Sequence, residues 1–276
     1  MRKAVNIICG ILAEVCALAV ILLGAYLAYD VPLEKTGEAV AALRLLGCGG
    51  FNVTMPCKTE VTKYLDRLSP ACELIGASNC VVVEADGTLT GHNTDGLGFV
   101  ANLRVHGVDV KGKRMVILGA GGAGTAVTMQ SAVDGASEIH IFNRKGYTFY
   151  PNAELTVKKI TERIPACKAS VTDLADKEAL AEAVRNCDIL VNATKVGMAP
   201  LDGETLIDPS LFRADLVVAD TVYNPKETRM ILEAKAAGVK AAIGGIGMLL
   251  RQGVEGFRLY TGREMPADEV MDKFFA

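Results

Sequence analysis

No Cys-x-x-Cys pair, no clustered histidines and no basic tract occur in this chain, and each absence closes a class of function. The eight cysteines (Cys9, Cys16, Cys48, Cys57, Cys72, Cys80, Cys167 and Cys187) are scattered. They show neither the paired Cys/His spacing of a zinc site nor a disulfide framework, so reduced thiols in a cytoplasmic protein are expected. His92, His106 and His140 stand far apart. Neither a metal cluster nor a Ser-His-Asp arrangement has much to build on, and no metal is expected. The formal net charge is −3, which offers no basic field to nucleic acid. Internal repeats and low-complexity linkers are missing. No serine or threonine precedes Thr36.

What is present is an apolar, enzyme-like chain. Half of its 276 residues are hydrophobic, enough for two domains with separate cores. The organising stretch is Met115-Val-Ile-Leu-Gly-Ala-Gly-Gly-Ala-Gly-Thr-Ala126. Met115 to Leu118 reads as a buried strand, Thr125 to Val133 can continue as a helix, and the glycines between them form a G-x-G-x-x-G loop. Gly119 permits the tight turn, Gly121 lets a pyrophosphate approach the backbone, and Gly124 lets helix and strand pack closely, with Ala120, Gly122 and Ala123 completing the cradle. Strand before and helix after favour a dinucleotide over a merely tight βα turn.

The first segment is the awkward one. From Ala4 to Ala28 the only charge is Glu14, after a basic Met1-Arg2-Lys3. Length and hydropathy suit a membrane anchor or signal anchor. Glu14, Gly10, Gly24 and the lack of a clear cleavage site favour a buried strand followed by a core helix, so a membrane association is not expected. Ala25 to Val31 then reads as a strand and Glu34 to Leu46 as an amphipathic helix ending at Gly47. A short strand at Phe51 to Val53 leads into Thr54-Met-Pro-Cys-Lys58, where Pro56 leaves Lys58 at a strand end. Ser69-Pro70 opens a helix to Ile75. Asn79 to Glu84 and Leu89 to Asn93 form a hairpin about Asp86-Gly87, and Thr94 or Asp95 caps a helix reaching His106.

Beyond Val108 strands and helices alternate. Strands are predicted at 115–118, 138–142, 169–172, 189–192, 216–219 and 240–243, and helices near 123–133, 152–163, 176–186 and 226–237. Such alternation implies a parallel sheet covered on both faces. A helix from Ile246 to Tyr260 and a last one opened by Pro266 follow. The fold class is therefore α/β: a Rossmann-like doubly wound domain over 106–245, and a smaller α/β substrate domain over 1–105 completed by the C-terminal helices 246–276. At the end of the second dinucleotide strand stands Phe142-Asn143-Arg144-Lys145. Two cations and no carboxylate there favour NADP over NAD, unless Arg144 and Lys145 are an ordinary solvated pair.

Several motifs occur in family order: Asn52-Val-Thr-Met-Pro-Cys-Lys58, Gly91-His-Asn-Thr-Asp95, the glycine loop, Asn192-Ala-Thr-Lys-Val-Gly-Met198 and Gly245-Ile-Gly-Met-Leu-Leu-Arg-Gln252. Together they resemble the shikimate dehydrogenase family, including its quinate/shikimate branch, from about Ala25 to Phe275. The resemblance implies reversible NADP-dependent reduction of 3-dehydroshikimate to shikimate in aromatic amino acid biosynthesis. It makes Lys58 and Asp95 the catalytic pair, with the ammonium supplying a proton to the alkoxide formed when hydride reaches the ring ketone. It assigns Thr54, Asn79, Tyr223 and Gln252 to the substrate hydroxyls. Asn143, Arg144 and Lys145 match the adenosine-phosphate loop, and Thr194, Val196, Gly245 and Met248 the nicotinamide side. Gly146 stands where the quinate/shikimate branch can carry an acidic residue for NAD.

The departure lies at the N-terminus, where the family has an S-x-S pattern that anchors the substrate carboxylate. Here that pattern is absent. Each lost hydrogen bond to a carboxylate costs about 1.5–3 kcal/mol, so two weaken productive binding by roughly a hundredfold or more. Two rivals follow: a quinate/shikimate dehydrogenase using NAD, and an inactive dinucleotide-binding member with a broken substrate pocket, in the extreme tethered to a membrane. The expected partner is a small molecule, with the chain a monomer or homodimer.

Overall fold

Strand alternation decides the architecture. The computed structural model describes residues 27–275, with two sheets of four and six strands. The expectations for residues 4–26, buried core or membrane tether, lie outside the described residues. The strand expected at Ala25 to Val31 is corrected over its described part. Residues 27–31 are not in a strand, and 27–30 are exposed, just before a proline that cannot donate to a ladder.

The smaller sheet contains β1 (Gly50–Asn52), β2 (Arg67–Leu68), β3 (Cys80–Val83) and β4 (Leu89–His92), in the order β1-β3-β4-β2. The β1, β3 and β4 pairings are antiparallel and β2 runs parallel to β4. The expected hairpin turns at Gly87, whose φ of 80° suits glycine. Helix α1 (Thr36–Leu45) covers one face, where Val40 packs with Val61, Val81 and Leu89. In α2 (Pro70–Ile75) the Ser69 hydroxyl accepts the Cys72 N–H at 3.3 Å, satisfying a first-turn donor.

Helix α3 (Asp95–Val105) then leads into the larger sheet. There β5 (Arg114–Leu118), α4 (Gly122–Val133), β6 (Glu138–Asn143), α5 (Tyr150–Arg163), β7 (Lys168–Asp173), α6 (Lys177–Asn186), β8 (Ile189–Asn192), β9 (Val217–Asp220), α7 (Arg229–Ala236) and β10 (Ala241–Ile243) succeed one another. All the pairings are parallel and the order is β10-β9-β8-β5-β6-β7. Strand order reverses between β5 and β8, and a crevice at the carboxyl ends of such a sheet is the usual ligand position. Both faces are apolar. Met115, Ile117, Ile189 and Val191 pack towards α3, α4 and α5, while Val116, Leu118, Leu190 and Val218 pack towards α6 and α7. This double burial is why the strands read as continuous apolar runs.

The chain closes with α8 (Ile246–Thr261) and α9 (Ala267–Phe274). Helix α8 lies tightly on α3, since a Cβ on Gly98 would fall 2.6 Å from the backbone nitrogen of Gln252. Helix α7 starts at Arg229 rather than Lys226, because Thr228 takes the cap position and its side chain accepts the Ile231 N–H.

Candidate active site

The turn after β1 and the start of α3 bring the first charged pair together. Lys58 Nζ donates to Asp95 Oδ2 at 2.6 Å, and the two side chains are only 18% and 10% exposed. The sequence allowed Thr94 or Asp95 to cap α3; neither side chain does so. Asn93 Oδ1 instead accepts the Asp95 N–H at 3.2 Å, freeing the Asp95 carboxylate to face Lys58. Its other oxygen accepts Asn79 Nδ2 at 2.9 Å. The same Asn79 Nδ2 lies 2.9 Å from Thr94 Oγ1 and 3.3 Å from Gln252 Oε1, so three acceptors share its two hydrogens, while Asn79 Oδ1 accepts the Thr94 N–H at 2.8 Å. The lead into β3, the head of α3 and helix α8 are thus stitched together around one carboxylate.

Four of the expected residues, Lys58, Asp95, Asn79 and Gln252, therefore share one hydrogen-bonded cluster. Thr54 heads the same turn as Lys58 but is exposed and lies outside that cluster. Tyr223 is half-buried on the loop following β9. Thr94, read from the sequence only as a possible cap, is fully buried within the cluster and donates to Gln252 Oε1 at 3.4 Å.

The glycine loop borders this cluster, for a Cβ on Gly122 would lie 3.9 Å from Lys58 Cδ. Gly119 has a φ of 101°, open to glycine but strained for other residues. A Cβ on Gly124 would run into the Gly119 carbonyl. Gly124→Ala is therefore expected to destabilise the protein by about 1–3 kcal/mol, read from the urea midpoint; an unchanged midpoint would show that strand and helix can separate freely.

The loop suits a dinucleotide on physical grounds. No side chain caps α4, its first turn carries no acid, and nothing lies within 4 Å of the Cβ position of Gly121. Phosphate charge can meet bare amides there. At the end of β6, Asn143 Nδ2 is buried without a partner, while Arg144 and Lys145 are exposed. The Arg144 guanidinium stacks 4.1 Å from the Tyr147 ring centroid. Ala120 is buried, Ala123 half-buried at the helix start.

Across the crevice, the ends of β8 and β9 carry a buried polar network in which the sequence marked Thr194 and Val196 but gave Asn192 and Asp220 no role. Asn192 Nδ2 donates to Asp220 Oδ1 at 3.0 Å and to the Val196 carbonyl at 2.9 Å. Asn192 Oδ1 accepts the Thr194 hydroxyl at 2.7 Å, and Thr194 Oγ1 accepts the Val196 N–H at 3.1 Å. Asp220 is 1% exposed, and burial pushes its carboxyl up to about 6 against the pull of its hydrogen-bond donors. Gly245 is pressed on the same corner, where a Cβ would meet the Thr221 carbonyl at 2.6 Å, and Met248 is buried one turn further along. The available signal was positional: Asn192 and Asp220 are polar endings on apolar strands.

Among the described residues no group of metal-ligating side chains assembles, and no helix is long and apolar enough to cross a membrane.

Comparison with known proteins places the chain among relatives of one family. The profile of the shikimate dehydrogenase substrate binding domain matches residues 13–81, and that of the shikimate 5'-dehydrogenase C-terminal domain matches residues 245–273. The NADP(+) shikimate dehydrogenase of Streptococcus uberis is 49% identical over 253 residues, covering 91% of this chain and 85% of that protein. Its counterpart from Listeria monocytogenes is 46% identical over 251 residues, with the same coverage of both chains, 91% and 85%. A crystal structure of a Listeria monocytogenes shikimate 5-dehydrogenase, in complex with shikimate and NAD, superposes with a TM-score of 0.90 at 44% identity, covering 96% of this chain and 92% of that one. The chain belongs to the shikimate dehydrogenase family.

Proposed function

We propose that this protein is an NADP-dependent shikimate dehydrogenase, interconverting 3-dehydroshikimate and shikimate in a crevice between a substrate domain (1–105 with 246–276) and a dinucleotide-binding domain (106–245). The observation that carries the reading is the Lys58–Asp95 pair, 2.6 Å apart and bordering the glycine loop. Relatives named for this activity and for NADP(+) support it.

When bound, NADPH supplies the hydride that reduces the ring carbonyl. Gly119 to Ala123 would hold its pyrophosphate, Asn143, Arg144 and Lys145 its adenosine phosphate, and Thr194, Val196, Gly245 and Met248 its nicotinamide side. Lys58 Nζ donates the proton that neutralises the developing alkoxide, and takes it back in the reverse direction. Asp95, held by Asn79, fixes where that ammonium points and orients the reacting hydroxyl. Asn79, Gln252, Thr54 and Tyr223 would recognise the remaining ring substituents. The protein acts in the cytoplasm, as a monomer or homodimer.

Nicotinamide absorbance on mixing the full chain with shikimate and NADP tests this directly, with NAD and quinate as the other arms. NADP reduction by shikimate is expected, which would mean that the missing hydroxyl anchor is compensated. Faster turnover with NAD and quinate would move the protein to the rival branch. NADP binding without turnover by any pair would leave Lys58 and Asp95 beside a broken pocket.

A further inference from the structure

We infer that Asp220 is a positioning residue for hydride transfer, the buried knot that holds the loops after β8 and β9 as the nicotinamide half of the site. Its carboxylate gathers three donors from separate segments. Asn192 Nδ2 reaches Oδ1 at 3.0 Å from the end of β8, the Val222 N–H reaches Oδ1 at 2.9 Å from the loop after β9, and the Thr228 hydroxyl reaches Oδ2 at 2.7 Å from the cap of α7. Each donor passes the constraint on. Asn192 shapes the turn of Thr194 and Val196 through both ends of its amide. The Val222 carbonyl accepts the Gly245 N–H at 3.1 Å. Thr228 presses on the loop after β8, where a Cβ on Gly197 would lie 3.0 Å from its methyl group.

Thr194, Val196 and Gly245 are thus each bonded to a residue, Asn192 or Val222, that is itself bonded to Asp220, and Met248 follows Gly245 in the first turn of α8. Asp220 itself is buried and cannot touch substrate. The adenosine side, at the ends of β5 and β6, shares none of these bonds. Loosening the knot should therefore misplace one half of the cofactor and leave the other half alone. Misplacement of about 1 Å at a reacting centre costs about a hundredfold in rate.

The inference rests on the proposed dehydrogenase activity, so its test uses the full chain with two probes, one of them independent of turnover. In Asp220→Ala we expect kcat to fall about a hundredfold, with a larger primary isotope effect from NADPH deuterated at the transferred hydrogen. Affinity for adenosine 2′,5′-bisphosphate, which fills only the adenosine half, should stay within about twofold, since distant sites act independently. Asp220→Asn keeps an oxygen for Asn192 and Val222 and should recover activity to within about tenfold of the parent.

Unchanged kcat in Asp220→Ala, or a parallel loss of bisphosphate affinity, would reduce Asp220 to a general structural role. Should that variant not fold, Thr228→Val removes one of the three bonds and carries the same comparison, with an unaltered kcat and isotope effect overturning the inference. A parent protein that fails to turn over and binds NADP no tighter than the bisphosphate would instead refute the functional reading, and this inference with it. Normal parent turnover with insensitive variants refutes the inference alone.

Discussion

Lys58→Ala is expected to lower kcat for shikimate oxidation about a thousandfold while the NADP dissociation constant stays within about twofold, because a positioned proton donor contributes a factor of roughly 10²–10⁴ to the chemical step and little to cofactor binding. The geometry explains the asymmetry. Lys58 Nζ is spent on one partner, Asp95, and only the Lys58 stem approaches the glycine loop. Loss of the ammonium also leaves the Asp95 carboxylate, whose side chain is 10% exposed, with Asn79 as its nearest compensation. Breaking a buried pair in this way destabilises by up to about 3–5 kcal/mol, with partial exposure reducing the figure here. Thermal melting of the variant separates that loss from the catalytic one, and Lys58→Arg, which keeps a cation, should restore the melt more than the rate. Equal losses in kcat and in NADP affinity would contradict the proton-donor role and make Lys58 a cofactor ligand.

The parts of this site legible in the sequence are those encoded by short contiguous patterns. The strand, loop and helix from Met115 to Val133 were readable because glycine positions carry steric meaning that can be stated without coordinates. The parallel sheet was readable because strands buried on two faces give apolar runs at regular intervals. Short or non-periodic pieces were not. The two residues of β2 are too few to show a period, and residues 27–31 looked like a strand by composition although 27–30 lie exposed shortly before Pro32. Thr94 illustrates a different limit. Its position before a helix suggested a cap, but Asn79, just before β3, and Gln252 in α8 recruit its hydroxyl. The Asp220 knot was hidden for the same reason, since its three donors are distributed between residues 192 and 228 and meet only through sheet order. Long-range polar networks leave no local signature beyond a polar residue ending an apolar strand.

Arg144→Glu is expected to lower kcat/KM with NADP on the order of a thousandfold, combining a lost charged hydrogen bond with like-charge repulsion for about 4 kcal/mol. With NAD the change should be under about fivefold, because nothing charged occupies the ribose 2′ position. On the proposed reading this loop holds the first ligand. The Arg144 guanidinium is preset on the Tyr147 ring, and the Lys145 N–H is fixed by Asp173 Oδ1 at 3.1 Å. That aspartate's own carboxyl is held below the ordinary range by the N–H groups of Lys145 and Ala175, so it stays ionised and engaged with backbone at neutral pH. Gly146, with a φ of 82°, presents no side chain that could bind a ribose hydroxyl in place of the phosphate. Discrimination between the cofactors then rests on cations alone and should shrink as salt is raised, since exposed charges are screened within about 8 Å at physiological ionic strength. Tyr147→Ala, which releases the guanidinium without removing its charge, should raise KM for NADP only severalfold, matching the roughly 0.5–1 kcal/mol of an exposed cation–π contact. Parallel measurements with NADP and NAD decide the matter. If Arg144→Glu weakens both cofactors equally, the guanidinium lies against the adenine ring common to them, and the 2′-phosphate must be read by Lys145.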